Sequence, residues 1–141
     1  MSGTIRYYDE EVRDKVVERI HQITENVSKA FNCKGTVNAD NVYPAVLNHE
    51  KQTEIVLDIA EKELGEEGVN TTKHLPWFAS EDFSFFLQKI PGTFILLNNV
   101  KPGDEPVSLH SSYMDYNDHL TPTGAYLNIR ILENRLGFSV L

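Results

Sequence analysis

Between residues 9 and 32 the apolar positions Val12, Val16, Ile20, Ile23, Val27 and Phe31 recur at steps of three and four, with polar residues between them. That spacing lays them along one face of an α-helix. Asp9, Glu10 and Glu11 give it an acidic first turn, favourable at the positive end of the helix dipole, and Asn32 and Gly35 can end it. A second helical face, Ile55, Val56, Ile59, Ala60 and Leu64, follows Asn48 and His49, either of which can cap it. Gly65 is placed to take a left-handed turn behind it. Phe83, Phe86, Leu87 and Ile90 predict a short helix capped by Ser80 and led by Glu81 and Asp82. The last helix is predicted to open at Thr121-Pro122, a hydroxyl cap followed by proline at the first helical position. It lines Ala125, Ile129, Leu132 and Leu136 along one side and stops at Gly137.

Between the helices the pattern changes. Residues 3–8, GTIRYY, read as the end of a strand, and residues 36–43, with Val37 and Ala39 alternating, as a short weak one. After the Pro91-Gly92 turn, TFILL reads as a buried strand. EEGVNTTKHLP, residues 66–76, is a loop containing an edge strand, and KPGDEP is loop. The predicted order is β-α-β followed by α-β-α-β-α, an α/β chain. The first strand has only the 36–43 strand to pair with, and two strands with one helix make a poor independent domain. The N-terminal unit therefore reads as half of a domain.

At 141 residues, with 40% hydrophobic and 24% charged positions, the composition is that of a globular protein. A net charge of -8, with no basic stripe, argues against nucleic acid as a partner. The longest apolar run, Phe94 to Leu97, falls far short of the roughly 20 residues of a membrane span. The start, MSGTIRYYDEE, lacks the cationic opening and apolar centre of a signal peptide, so the chain reads as soluble and cytoplasmic. Cys33 is the single cysteine, which excludes an internal disulfide and reads as an inert residue near a helix end.

Three clusters are polar enough for chemistry. His110 lies near Asp115, Asn117, Asp118 and His119. A neutral imidazole ligates metals well when its other N–H is given to a carboxylate or carbonyl, but the same residues suit a surface loop of turns, and the nine-residue spacing of the two histidines matches no fixed ligand template. Glu81 and Asp82 behind Ser80 read as an acid and base pair or as helix-start residues. In YPAVLN, residues 43–48, Asn48 reads as a cap. Trp77 reads as packing or a loop anchor, and His21, His49 and His74 as structural or solvated. No GxSxG, HExxH or glycine-rich phosphate loop is present.

In order, GTIR, YPAVLN, SEDFSFF and LHSSYMDYND resemble the C-terminal part of the metal-dependent amidohydrolases, the aminoacylase, hippurate hydrolase and indole-acetyl amino acid hydrolase family of co-catalytic metallopeptidases. The resemblance runs over essentially the whole chain. It implies that residues 1–47 are the second half of a small α/β lid, or dimerisation, domain. Residues 48–141 would then be the C-terminal segment of a zinc-peptidase-like α/β catalytic domain. It makes His110 the family's late metal ligand and places Asn48 and Glu81 beside the substrate site. The other ligands, the catalytic base and the lid histidine precede GTIR in the family, so no catalytic residue maps onto this chain. The sequence departs from the family pattern at Ala79 and Ser80, where two glycines are usual, and at Ser112, where a proline is common.

The resemblance therefore implies a portion of an amidohydrolase that hydrolyses the amide bond of N-acyl amino acids, inactive alone. A divalent metal, zinc or manganese, would be held only once other segments complete the site. The expected partners are an N-terminal counterpart chain or other subunits, and a second copy through the lid. The alternative is a catalytically inactive structural or interaction subunit derived from the family, pairing through an exposed strand edge.

Overall fold

The computed structural model describes residues 1–40, 42–71, 76–101 and 103–140. His74 and its neighbours in the 66–76 loop, where an edge strand is expected, and one position each of the 36–43 strand and of KPGDEP lie outside the described residues. The chain divides into two compact units, Met1–His49 with Thr72–Phe94 and Glu50–Thr71 with Ile95–Leu141.

The first unit contains helix α1, Glu10–Ala30. Asp9, in extended conformation, caps it by accepting from the Glu11 and Val12 amides at 2.8 and 3.0 Å. Its end is equally local. Asn32 turns left-handed at φ 51°, its N–H bonds the Lys29 carbonyl, and the Cys33 N–H reaches back to Ser28 at 2.8 Å. This double closure satisfies carbonyls the helix leaves open, and asparagine tolerates the left-handed region. Gly35 lies so close to the helix that a Cβ there would meet Ser28 Oγ at 2.1 Å and the Thr24 carbonyl at 3.1 Å. No residue of α1 is buried.

The remainder of this unit is joined by aromatic and polar links. Tyr8 packs edge-on to Phe78 with ring centres 5.0 Å apart, and its hydroxyl donates to the Trp77 carbonyl. The Tyr7 hydroxyl donates to the Tyr43 carbonyl, and Arg6 donates to Ser80 Oγ at 3.1 Å. The expected helix behind Ser80 is short, Phe83–Leu87 (α3), and Ser80 does not cap it. Glu81 does that work, accepting from the Phe83 amide through its side chain and from Ser84 through its carbonyl. Of the four expected apolar positions only Leu87 is buried, while Phe86 and Ile90 are exposed.

None of the described residues belongs to a strand, so residues 3–8, 93–97 and the described positions of 36–43 depart from the expected β structure. Val, Ile, Thr and Phe favour a pleated, half-buried surface, but a strand exists only through a ladder to a neighbour. Here the backbone finds other partners. The Phe94 N–H and C=O both bond the Asn48 side-chain amide, at 2.8 and 2.9 Å. Gly92 bonds His49 through both backbones and through the imidazole.

The second unit is built on α2, Glu50–Leu64, packed against α4, Leu120–Leu136. Ile59, Ala60 and Leu127 form its buried centre, with Ile55, Val69 and Ile131 against them. Val56 is also buried. Helix α2 closes with the Gly65 N–H on the Glu61 carbonyl, and Gly65 adopts φ 78°, a conformation open to glycine at little cost. A 3-10 turn, Glu66–Gly68, follows.

Helix α4 begins one residue before Thr121, so proline occupies its third position. There its missing N–H is still one of the orphan donors of the first turn. Gly137 ends it left-handed, as expected. Its buried side differs from the expected one: Leu127 and Ile131 face inward while Leu132 and Leu136 are exposed. The helix is apolar on more than one side, so periodicity does not select a face. The selection comes from Gly124, where a Cβ would stand 2.9 Å from Leu97, and from Arg130.

Candidate functional site

Arg130 Nε bonds Glu63 of α2 at 2.9 Å, Tyr126 donates its hydroxyl to the other Glu63 oxygen at 2.6 Å, and Arg130 also pairs with buried Glu133. Glu133 in turn receives the Ser139 hydroxyl and the Val140 amide, fastening the tail after α4. Tyr126 and Arg130 together hold the Glu63 carboxyl below the usual carboxylate range, and Glu63 raises the tyrosine and the guanidinium in return. These groups lie in a cleft of about 520 Å³ lined also by Ile55, Lys62 and Phe138. Glu63 and Arg130 stand 67 positions apart, so no local sequence signal announces the network. Glu63, Arg130 and Glu133 answer one another, so this network fastens α2 to α4.

His110 occupies a turn in the same unit and is exposed. Its loop is ordered from both sides. The Ser111 amide bonds the Ser108 carbonyl, Ser111 Oγ accepts from the Tyr113 amide at 3.1 Å, and the Met114 amide returns to Ser111. At the far end the Asn117 side chain accepts from the His119 amide, and the Asn117 and Asp118 carbonyls receive Leu120 and Thr121, launching α4.

Asp115, a carboxylate close enough in sequence to orient His110, is committed elsewhere. It pairs with Lys101 at 2.9 Å, and that bond holds its carboxyl below the ordinary range and raises the lysine. Asn99 grips the same stretch, donating to the Asp115 carbonyl at 3.2 Å and accepting from the Asn117 amide at 2.7 Å. The signal in sequence was faint: two asparagines ending an apolar run.

Asn48 and Glu81 both belong to the first unit. Asn48 holds Phe94, whose ring lies 5.5 Å from that of Phe83, and the Phe83 amide donates to Glu81. Both side chains are thus tied to backbone. Nearby, His49 and Ser84 line a cleft of about 240 Å³ with Tyr8 and Leu87. Ser84 is fully buried, and its hydroxyl donates to the Glu81 carbonyl. Cys33 is exposed, its thiol 3.3 Å from the Phe31 carbonyl.

Among the described residues no three His, Cys, Asp or Glu side chains gather to hold a metal ion. His110 has the right donor chemistry for one position of a ligand set, and the described residues do not supply the others. No described helix is long and apolar enough to cross a membrane.

Comparison with known proteins gives the arrangement a context. The profile of Peptidase family M20/M25/M40 matches residues 6–134. N-acetyl-L-cysteine deacetylase of Bacillus subtilis is 36% identical over 94 residues, covering 67% of this chain and 22% of that protein. N-acetyldiaminopimelate deacetylase of Ligilactobacillus salivarius is 29% identical over 136 residues, covering 96% of this chain and 34% of the relative. Hippurate hydrolase of Campylobacter jejuni is 27% identical over 122 residues, 86% of this chain and 30% of that enzyme. The chain thus spans between 22% and 34% of the length of these relatives. No solved structure matches it.

Proposed function

The chain belongs to peptidase family M20/M25/M40, a family of α/β peptidase fold, and we propose on that premise that it is the C-terminal portion of a metal-dependent amidohydrolase acting on N-acyl amino acids. The observation that carries this reading is His110, exposed in an ordered loop within a stretch that matches the family from residue 6 to residue 134. Relatives named as deacetylases of N-acetylated amino acids and as a hippurate hydrolase support the substrate class. Residues 1–47 would be lid and 48–141 catalytic domain, with Asn48 and Glu81 shaping the site's surroundings.

Amide hydrolysis of this kind needs a metal to activate water, an open coordination position and a general base. In the proposed reading zinc or manganese supplies that activation, and this chain contributes one ligand, His110. The remaining ligands and the base come from segments outside it, through upstream sequence or an N-terminal counterpart chain.

Native mass spectrometry of the assembly purified from its source, with metals retained, tests this. One or two metal ions should accompany His110. His110→Ala should lower metal content and cut hydrolysis of an N-acyl amino acid by more than roughly 100-fold, since loss of even an outer-shell partner costs about 10–100-fold. Unchanged metal and activity in His110→Ala would remove the reading.

A second reading, a catalytically inactive interaction subunit, is favoured by one observation. Val12, Val16, Ile20, Ile23, Val27 and Phe31 form an exposed apolar face on α1, suited to another subunit or a second copy. A metal-free assembly in the same experiment would select it.

A further inference from the structure

The loop that presents His110 has no regular secondary structure between the residue 108–111 turn and α4, so beyond its short bonds around Ser111 and Asn117 its geometry depends on what holds it from outside. The strongest such hold is Asn99. Its amide nitrogen donates to the Asp115 carbonyl and its amide oxygen accepts from the Asn117 N–H, with Tyr116 spanned between them. A carbonyl and the N–H two residues later project to the same side of an extended segment, the pair of groups that a neighbouring strand would engage. One carboxamide therefore replaces a missing strand. The orientation of the Asn99 amide follows from chemistry, because a backbone N–H can only donate and a carbonyl can only accept.

Lys101, two residues on, reinforces the grip through Asp115. Asn99 is half-buried whereas Asp115 is exposed, so the two attachments differ in kind. The bond from the Asn117 amide is partly shielded from water, while the one to the Asp115 carbonyl is exposed. The ion pair is solvated and contributes little by itself.

We propose that Asn99 is the positioning residue of the His110 loop: it fixes the 115–117 stretch, and through it the direction in which His110 is presented. Its importance for metal binding rests on the reading of His110 as a ligand, and the test separates the two. Aspartate at position 99 has nearly the size of asparagine but no donor, and sets an oxygen against the Asp115 carbonyl. Alanine removes both bonds.

In the 141-residue chain without metal, Asn99→Ala and Asn99→Asp should each speed hydrogen exchange at the Asn117 amide by at least tenfold and move the His110 ring resonance. His110→Ala assigns that resonance among the five histidines. The His21 signal and the exchange of α2 and α4 amides should stay in place. Lys101→Met should have the smaller effect. Asn117 exchange unchanged by Asn99→Ala, or accelerated equally throughout the chain, overturns the positioning role. In the assembly, Asn99→Ala should weaken Zn²⁺ binding about tenfold while leaving stoichiometry intact. Zn²⁺ binding unaffected by Asn99→Ala but abolished by His110→Ala overturns the role as well. Zn²⁺ binding unaffected by His110→Ala overturns only the ligand reading, and the loop-positioning result in the metal-free chain then supports Asn99 on its own.

Discussion

Helices α1 and α2 both carry apolar residues at three- and four-residue steps, yet they end up differently. On α2, Val56, Ile59 and Ala60 are no more than 9% exposed, while on α1 Val12, Val16, Ile20, Ile23 and Val27 range from 36% to 52%. Helix α2 has α4 to lie against, with Leu127 and Ile131 meeting Ile59 and Ala60, and a polar fastening through Glu63 and Arg130. Helix α1 stands on what its own sequence provides: Asp9 at one end, the Asn32 turn at the other, and ion pairs such as Glu25 to Lys29 and Glu10 to Arg13 along its surface. An amphipathic stripe thus specifies a helix without specifying that its face is used. Burial is a property of two elements, and among the described residues α2 has a partner helix while α1 does not.

The largest test of this contrast is a matched pair of truncations. Leu127→Ala removes a side chain 3% exposed and should cost roughly 2–5 kcal/mol, lowering the urea midpoint of the second unit. Ile20→Ala, on the open face of α1, should change stability by no more than about 0.5 kcal/mol. Equal costs would break the comparison, because they would mean that the α1 face is covered in solution.

A smaller effect sharpens it. If α1 is held by local terms, its cap matters more than its face. Asp9→Ala should cost about 1 kcal/mol, seen as lost helical circular dichroism and faster exchange at the Glu11 and Val12 amides. An Asp9→Ala variant indistinguishable from the parent would place the stability of α1 in its packing instead.

The same division explains what could be read from the residues alone. The acidic first turn at Asp9, the end near Asn32, and the stops at Gly65 and Gly137 depend on a few adjacent positions and were legible; that Asp9 itself caps α1 and that Asn32 turns left-handed came from the structure. The buried side of α4 was not, because Ala125, Ile129, Leu132 and Leu136 make as good a stripe as Leu127 and Ile131. Gly124 against Leu97 and Arg130 against Glu63 settle it from a distance. TFILL has the residues of a strand, but a ladder needs a partner, and the amide of Asn48 takes that place at Phe94. His110 was singled out by its loop and by a family resemblance. Asn99, which grips that loop, gave only the faint sign of an asparagine pair ending an apolar run, because its partners lie 16 and 18 residues away.

Acid supplies the finest discrimination between the two regions. Glu63 and Glu25 both have carboxyls held below their ordinary range, the first by the Tyr126 hydroxyl and then Arg130, the second by Lys29. A carboxyl whose folded pKa is depressed adds stability that is complete above its unfolded value, near 4.3, and is lost as pH falls through the folded value. Both contributions therefore begin to fall as pH drops below the unfolded value and are gone once it is below the folded one. Their consequences differ by location. Glu25 and Lys29 lie one turn apart on a surface where both are about two-thirds exposed, so salt screens the pair and its loss leaves α1 almost unchanged. Glu63 joins two helices, and protonating it weakens the hold of both Tyr126 and Arg130 on α2. Amide exchange between pH 5 and pH 3, corrected for intrinsic rates, should show protection falling first at the facing turns of α2 and α4. Glu63→Gln should flatten that pH dependence. An acid response that begins in α1 and is unaltered by Glu63→Gln would show that the inter-helix carboxylate is not what distinguishes the sealed helix pair from the open one.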